Sequence, residues 1–221
     1  MPVASALLGL SLLVVGESHL SLSQYLREPL QKDLLAAGAA HVHSIGACGA
    51  PPGDWIKTTS VVCGADQVDR RPAVVLGTEA HTTPIAQLIQ ADRPNLLVIV
   101  EGDTMGSYDK AAFPKAWAWQ QVTSLTKAVA ATHTACVWVG PGWGNNGGQF
   151  AKSDDRVREL NAFLADNVAP CAYIDSTKFA KPGQWQTRDG EHYLMSGYAS
   201  WAKDIVAALQ ASPVVLNLKK Q

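Results

Sequence analysis

Leu12, Leu13, Val14 and Val15 form an unbroken apolar run that stops at Gly16-Glu17-Ser18-His19. A run of that length without alternation reads as a strand buried on both faces. Residues 21–38 then place Leu22, Tyr25, Leu26, Leu30, Leu34 and Leu35 near helical spacing, with Pro29 as a kink and Gly38 as the stop. Residues 40–47 read as a short strand running into the turn-rich CGAPPGDW. The same alternation continues through a helix at 84–92, a strand at 95–103 and an amphipathic helix at 114–132. It ends with a strand at 135–139, a glycine-rich loop at 140–148, a helix at 154–168, a strand at 171–177 and a helix at 196–210. Residues 57–83 fit neither period and read as an insertion, with a hairpin around Asp66 to Arg71. Strands alternating with helices imply a parallel sheet covered on both faces. The whole chain, 1–221, reads as one domain with that insertion. Ligands of such sheets bind beyond the carboxyl ends of the strands, and every polar cluster falls there: Ser18, Gly49, Asp103, 140–148 and the segment after Asp175.

The 221 residues carry a net charge of −1, and their lysines and arginines form no basic stripe, which argues against a nucleic-acid partner. Gly16 to His19 interrupts the longest apolar stretch, so no membrane span is expected. That stretch resembles a signal-peptide core in length but lacks a basic flank. It is read as the first strand of the mature domain, with an export signal removed ahead of it. Cys48, Cys63, Cys136 and Cys171 show no zinc-ligand spacing, so neither a metal nor another cofactor is expected. An even cysteine count fits disulfides and a periplasmic or secreted protein. Of the seven tryptophans, Trp138 reads as core and Trp143 as either core or a substrate wall.

Ser18 stands where a strand gives way to a helix. It is there either as a turn residue capping that helix or as a nucleophile. A serine hydroxyl attacks only when a base takes its proton and a third group holds that base in the right tautomer. Asp189 and His192, three residues apart just before the last helix, can present both groups from one short loop. His19, His41, His43, His81 and His133 lack such context and read as structural or exposed.

GES at 16–18 and DGEH at 189–192 resemble the first and last sequence blocks of the SGNH (GDSL-like) hydrolases. Glu17 stands in place of the usual aspartate. The resemblance runs from residue 12 to 209. It implies a three-layer α/β/α flavodoxin-like fold with a central parallel five-stranded sheet, and Ser18, Asp189 and His192 as catalytic residues. It also implies an oxyanion hole built from the N–H groups of Ser18 and Gly49, with Gly46 as the fallback. The third block departs from the family: Gly102 is present, but Asp103 or Thr104 stands where an asparagine is usual. A threonine hydroxyl could donate to an oxyanion, whereas a carboxylate would repel it. Trp143 and Asn145 are candidate substrate contacts. The implied activity is that of a carbohydrate O-acetylesterase or O-acetyltransferase acting on an envelope polysaccharide or exopolysaccharide. Its partners would be the acetylated polymer and other exopolysaccharide-modification proteins. A lipase- or thioesterase-like enzyme and a non-catalytic carbohydrate-binding module are the alternatives.

In a flavodoxin-like strand order, Cys136 and Cys171 open neighbouring parallel strands at the end of the sheet opposite the catalytic loops. Strands about 4.8 Å apart fall within disulfide reach. Cys136–Cys171 and Cys48–Cys63 are therefore the expected bridges, the second tying the insertion to the oxyanion loop.

Overall fold

The computed structural model describes residues 5–219; the outermost positions of the 1–221 domain, and any export signal ahead of it, lie outside them. Its sheet follows the order β4-β3-β2-β1-β5-β6-β7. β1 (Ser11–Gly16), β2 (His41–Ala47), β5 (Leu96–Val100), β6 (Ala135–Val139) and β7 (Ala172–Ile174) are mutually parallel. Among the described residues the strand count is seven, not five. The two additional strands, β3 (Gly64–Val68) and β4 (Val74–Leu76), form a hairpin from residues 57–83 that adds antiparallel to the free edge of β2.

The unbroken apolar runs are explained by two cores. Along β1, Leu12 and Val14 face one helical layer, whereas Leu13 and Val15 face the other. The first layer is α2 (Arg27–Ala36), α7 (Met195–Ala211) and α8 (Pro213–Leu218). The second is α3 (Ile85–Asp92), α5 (Lys115–Ala130) and α6 (Asp154–Asn167). Each such fully buried aliphatic side chain contributes roughly 1.5–3 kcal/mol, so β1 is pinned from both sides at the strand that carries Ser18.

The expected helix over 21–38 is in fact two pieces. α1 (Ser18–Ser21) ends at an extended Leu22, and α2 begins only at Arg27. Pro29 therefore sits in the first turn of α2, where its missing N–H breaks no helical hydrogen bond, and it opens the helix instead of kinking it. Gly38 follows the end of α2 at φ +98°. Both expected disulfides are present, Cys48–Cys63 and Cys136–Cys171, with Cα separations of 5.2 and 4.6 Å. Among the described residues no helix is long and apolar enough to cross a membrane.

Candidate active site

β1 delivers Glu17 and Ser18 to the carboxyl pole of the sheet, β2 delivers Gly49, β5 delivers α4 (Asp103–Gly106), and the loop before α7 delivers Asp189 to His192. They meet at a cavity of about 860 Å³. Ser18 Oγ lies 2.8 Å from His192 Nε2, and His192 Nδ1 lies 2.8 Å from Asp189 Oδ2. Asp189 also accepts the backbone N–H groups of Glu191 and His192 at its other oxygen. Burial pushes the Asp189 carboxyl up, but the hydrogen bonds from His192 and Glu191 outweigh it and hold the group below its ordinary value. An ionised Asp189 accepts a hydrogen bond from the Nδ1–H of His192, which fixes the tautomer and leaves the lone pair of Nε2 facing the serine hydroxyl.

Gly49 has φ +68°, a left-handed conformation that glycine adopts without strain. Among the described residues, neither its N–H nor that of Ser18 has a protein acceptor, and both residues line the cavity. Gly46 is different: a side chain there would run into the backbone of Leu20 and Ser21, so its role is to let α1 approach β2. Thr104 lines the cavity, its hydroxyl 3.5 Å from the Glu101 carboxyl. The Asp103 carboxylate is fully engaged, with Lys152 Nζ at 2.7 Å, His19 Nε2 at 2.9 Å and the Tyr108 hydroxyl at 2.5 Å. Burial raises Asp103, but Lys152 and His19 more than reverse it and keep the group ionised.

Asp103 belongs to a buried polar cluster that sequence reasoning did not foresee. Both Glu17 oxygens accept backbone N–H groups, from Asp103 at 2.9 Å and Thr104 at 3.0 Å, so the residue preceding the serine fixes the loop after β5. Burial, reinforced by neighbouring carboxylates, holds Glu17 and Glu101 well above their ordinary values. Burial likewise lowers His19 to about 4. That neutral imidazole donates from Nε2 to Asp103 and accepts the Tyr198 hydroxyl at Nδ1, 2.8 Å away. Read from sequence as one of five structural or exposed histidines, His19 is buried and packs 5.2 Å from the His192 ring. Ligand atoms of Glu17, His19 and Asp103 lie within 4.8 Å of one another. Glu17 already accepts two backbone N–H groups, His19 accepts the Tyr198 hydroxyl, and Asp103 is bonded by His19, Tyr108 and Lys152, whose ammonium supplies a positive charge to the cluster.

The glycine-rich loop serves a purpose other than the expected one. Trp143 does not line the cavity: its indole N–H donates to the carbonyls of Thr177 and Ala180. Asn145 is exposed and bonds the Thr187 hydroxyl. The loop holds the turn that carries Asp189 and His192, through Asn145 N–H to Gly190 O and Phe150 N–H to Asp189 O. At Gly148 any side chain would strike the Asp189 backbone. The cavity walls come from Tyr25 and Phe150, whose rings lie 5.2 and 5.6 Å from that of His192. Tyr25 was read in sequence only as one of a helical set and Phe150 carried no signal, so nothing marked either as a neighbour of the imidazole.

No family model matches the chain. Over 205 residues it is 37% identical to Protein BcsX of Komagataeibacter xylinus, a match that spans 91% of this chain and 77% of that protein. The chain belongs to the same family as BcsX, with the SGNH hydrolase fold. Among solved structures, this BcsX-family chain is similar to a carbohydrate esterase family 3 protein from Talaromyces cellulolyticus. The TM-score is 0.64 at 13% identity, over 96% of this chain and 99% of that one. It is also similar to a GDSL-like lipase from Bacteroides thetaiotaomicron, with a TM-score of 0.56 at 11% identity over 91% and 88% of the two chains.

Proposed function

We propose that the chain is a carbohydrate O-acetylesterase working through an acyl-Ser18 intermediate, with the same residues serving acetyl transfer when a sugar hydroxyl replaces water. The observation that carries this reading is the unbroken series Ser18–His192–Asp189 lining the cavity. Ser18 attacks the ester carbonyl while His192 Nε2 takes the hydroxyl proton, and the Ser18 and Gly49 N–H groups receive the oxyanion. The imidazolium, steadied by Asp189, returns the proton to the departing alcohol. Water or a second alcohol then repeats the sequence in reverse.

Two features favour a hydroxylated carrier over a long acyl chain. The cavity lining is largely apolar but includes the carboxyl of Glu191, which makes no hydrogen bond of its own among the described residues, and Tyr25 and Phe150 offer flat walls suited to the faces of sugar rings. The carbohydrate esterase of like fold agrees with this. Two disulfides without a free cysteine among the described residues support a periplasmic or extracellular site of action.

The test is acetate release from acetylated oligosaccharides and from a short activated ester, for the native protein and Ser18→Ala. Loss of the nucleophile should lower turnover by about three orders of magnitude or more on both substrates, with thermal stability retained. Full activity in Ser18→Ala would overturn the reading. Release of acetate without transfer to added plain oligosaccharide identifies a hydrolase.

A further inference from the structure

Glu191 lies between Asp189 and His192, yet neither of them binds its carboxyl in the way the neighbouring turn is bound. Its backbone N–H donates to Asp189, but its side chain turns into the cavity, where Oε1 comes 3.5 Å from His192 Nε2. Among the described residues its carboxyl makes no hydrogen bond shorter than that approach. Nε2 is the atom that exchanges a proton with Ser18 and then with the alcohol. Any oxygen that receives a proton from Nε2 therefore falls within reach of Glu191.

We propose that the Glu191 carboxyl donates a hydrogen bond to the alcohol oxygen of the ester as it departs. The proposal rests on the acyl-Ser18 reading. In the first half the acyl C–O bond breaks, the electron pair goes to the alcohol oxygen, and the proton on His192 Nε2 follows it. Glu191 keeps its own proton throughout and stabilises the negative charge while it is transient. The bond is therefore worth most for a poor leaving group such as a sugar hydroxyl, and little for a nitrophenolate, which departs unaided.

The surroundings keep Glu191 supplied with that proton. Burial pushes its carboxyl up to about 9, aided by Asp103, Glu17 and Asp189, against a smaller opposing effect from Lys152. His192 faces it directly, and Tyr25, Tyr108, Tyr193 and Tyr198 all feel its charge. Above about pH 9 the donor is lost and a second carboxylate stands beside the imidazole.

The experiment compares native protein, Glu191→Gln, Glu191→Leu and Ser18→Ala on an acetylated oligosaccharide and on nitrophenyl acetate, from pH 6 to about 10. Glu191→Leu should lower turnover of the sugar ester about tenfold or more and of the aryl ester much less. Glu191→Gln, an amide donor that does not titrate, should recover most of the sugar-ester rate and lose the alkaline fall seen in the native protein. Equal loss on both esters in Glu191→Leu, or an unchanged alkaline fall in Glu191→Gln, would overturn the proposal. Activity surviving in Ser18→Ala would overturn the underlying reading instead, so the two failures are distinct. Soluble, cooperatively folding Glu191→Gln guards against mistaking misfolding for lost chemistry.

Discussion

The Lys152 ammonium lies 2.7 Å from the Asp103 carboxylate, with both side chains all but sealed from solvent. Lys152 also donates to the Gly142 carbonyl, so one cation joins the loop after β5 to the loop after β6. This pairing bears on the expectation that a carboxylate at position 103 would repel an oxyanion. The charge that would oppose an oxyanion is neutralised at its source.

Breaking that pair on one side should be costly. Lys152→Met leaves Asp103 buried, ionised and uncompensated, a change worth about 3–5 kcal/mol and, at this chain length, a Tm lower by about 10 °C. Adding Asp103→Asn to Lys152→Met should recover most of the loss. Thermal unfolding of the single and double variants checks this, and a double variant no more stable than the single would refute the pairing as the cause.

Thr104, whose hydroxyl lies 3.5 Å from the Glu101 carboxyl, is the side-chain donor we propose for the oxyanion. Thr104→Val should reduce turnover about tenfold or more, since one lost donor costs a few kcal/mol in the transition state, while KM for the ester changes little. Steady-state kinetics on a short ester decide the matter. Unchanged turnover would leave the oxyanion to the Ser18 and Gly49 N–H groups alone.

The buried carboxyls set a direction for stability against pH. Burial raises Glu17 and Glu101 in the folded chain above their ordinary value of 4.5. The folded state therefore holds protons that the unfolded chain has released. Their stabilising effect is complete below about pH 4.5 and is lost as pH rises, by up to about 1.4 kcal/mol per pH unit for each proton. Asp103, lowered on folding, acts oppositely and loses its contribution as pH falls below its ordinary 3.8. Denaturant unfolding at pH 5.5 and 8 should find the protein more stable at the lower value. Glu101→Gln, which keeps an acceptor for the Trp55 indole, should narrow that difference; an undiminished gap would count against Glu101 as its source.

The two disulfides should separate in their effects. Alkylation without reductant followed by intact-mass measurement should modify no cysteine, and four modified thiols would refute both bridges. Replacing Cys48 and Cys63 by alanine opens a loop with a sequence separation of 15, for a stability loss of about 3 kcal/mol. It should also depress turnover, because Cys48 adjoins Gly49. Replacing Cys136 and Cys171, at the opposite pole, should lower stability and leave kcat/KM within about twofold.

Hydrophobic runs made most of the fold legible before any coordinates. Leu12 to Val15 and Leu96 to Val100 could be buried on both faces only between two helical layers, and that layering is found. The hairpin strands were harder to see, because Val74 and Val75 are exposed on a three-residue edge strand with no periodicity to read. Ser18, Asp189 and His192 were marked by their position at element ends. His19, Lys152 and Glu191 were not, because a buried polar side chain leaves no trace in local pattern: its partners are contributed by other strands. Trp143 was misplaced for a related reason. A tryptophan in a glycine-rich loop looks available for a ligand until the carbonyls of Thr177 and Ala180 are seen to hold its N–H.

The hairpin segment reaches the mouth of the cavity through Val62, an exposed side chain next to the Cys63 bridge. This segment and the Ser18–His192–Asp189 series thus belong to separate stretches of chain. Residues 57–83 border the cavity while the Cys48–Cys63 bridge anchors them beside Gly49. A collection of chimaeras exchanging only that segment would be expected to differ in which acetylated glycan they accept, and to share one acyl-transfer rate on an ester too small to touch the rim.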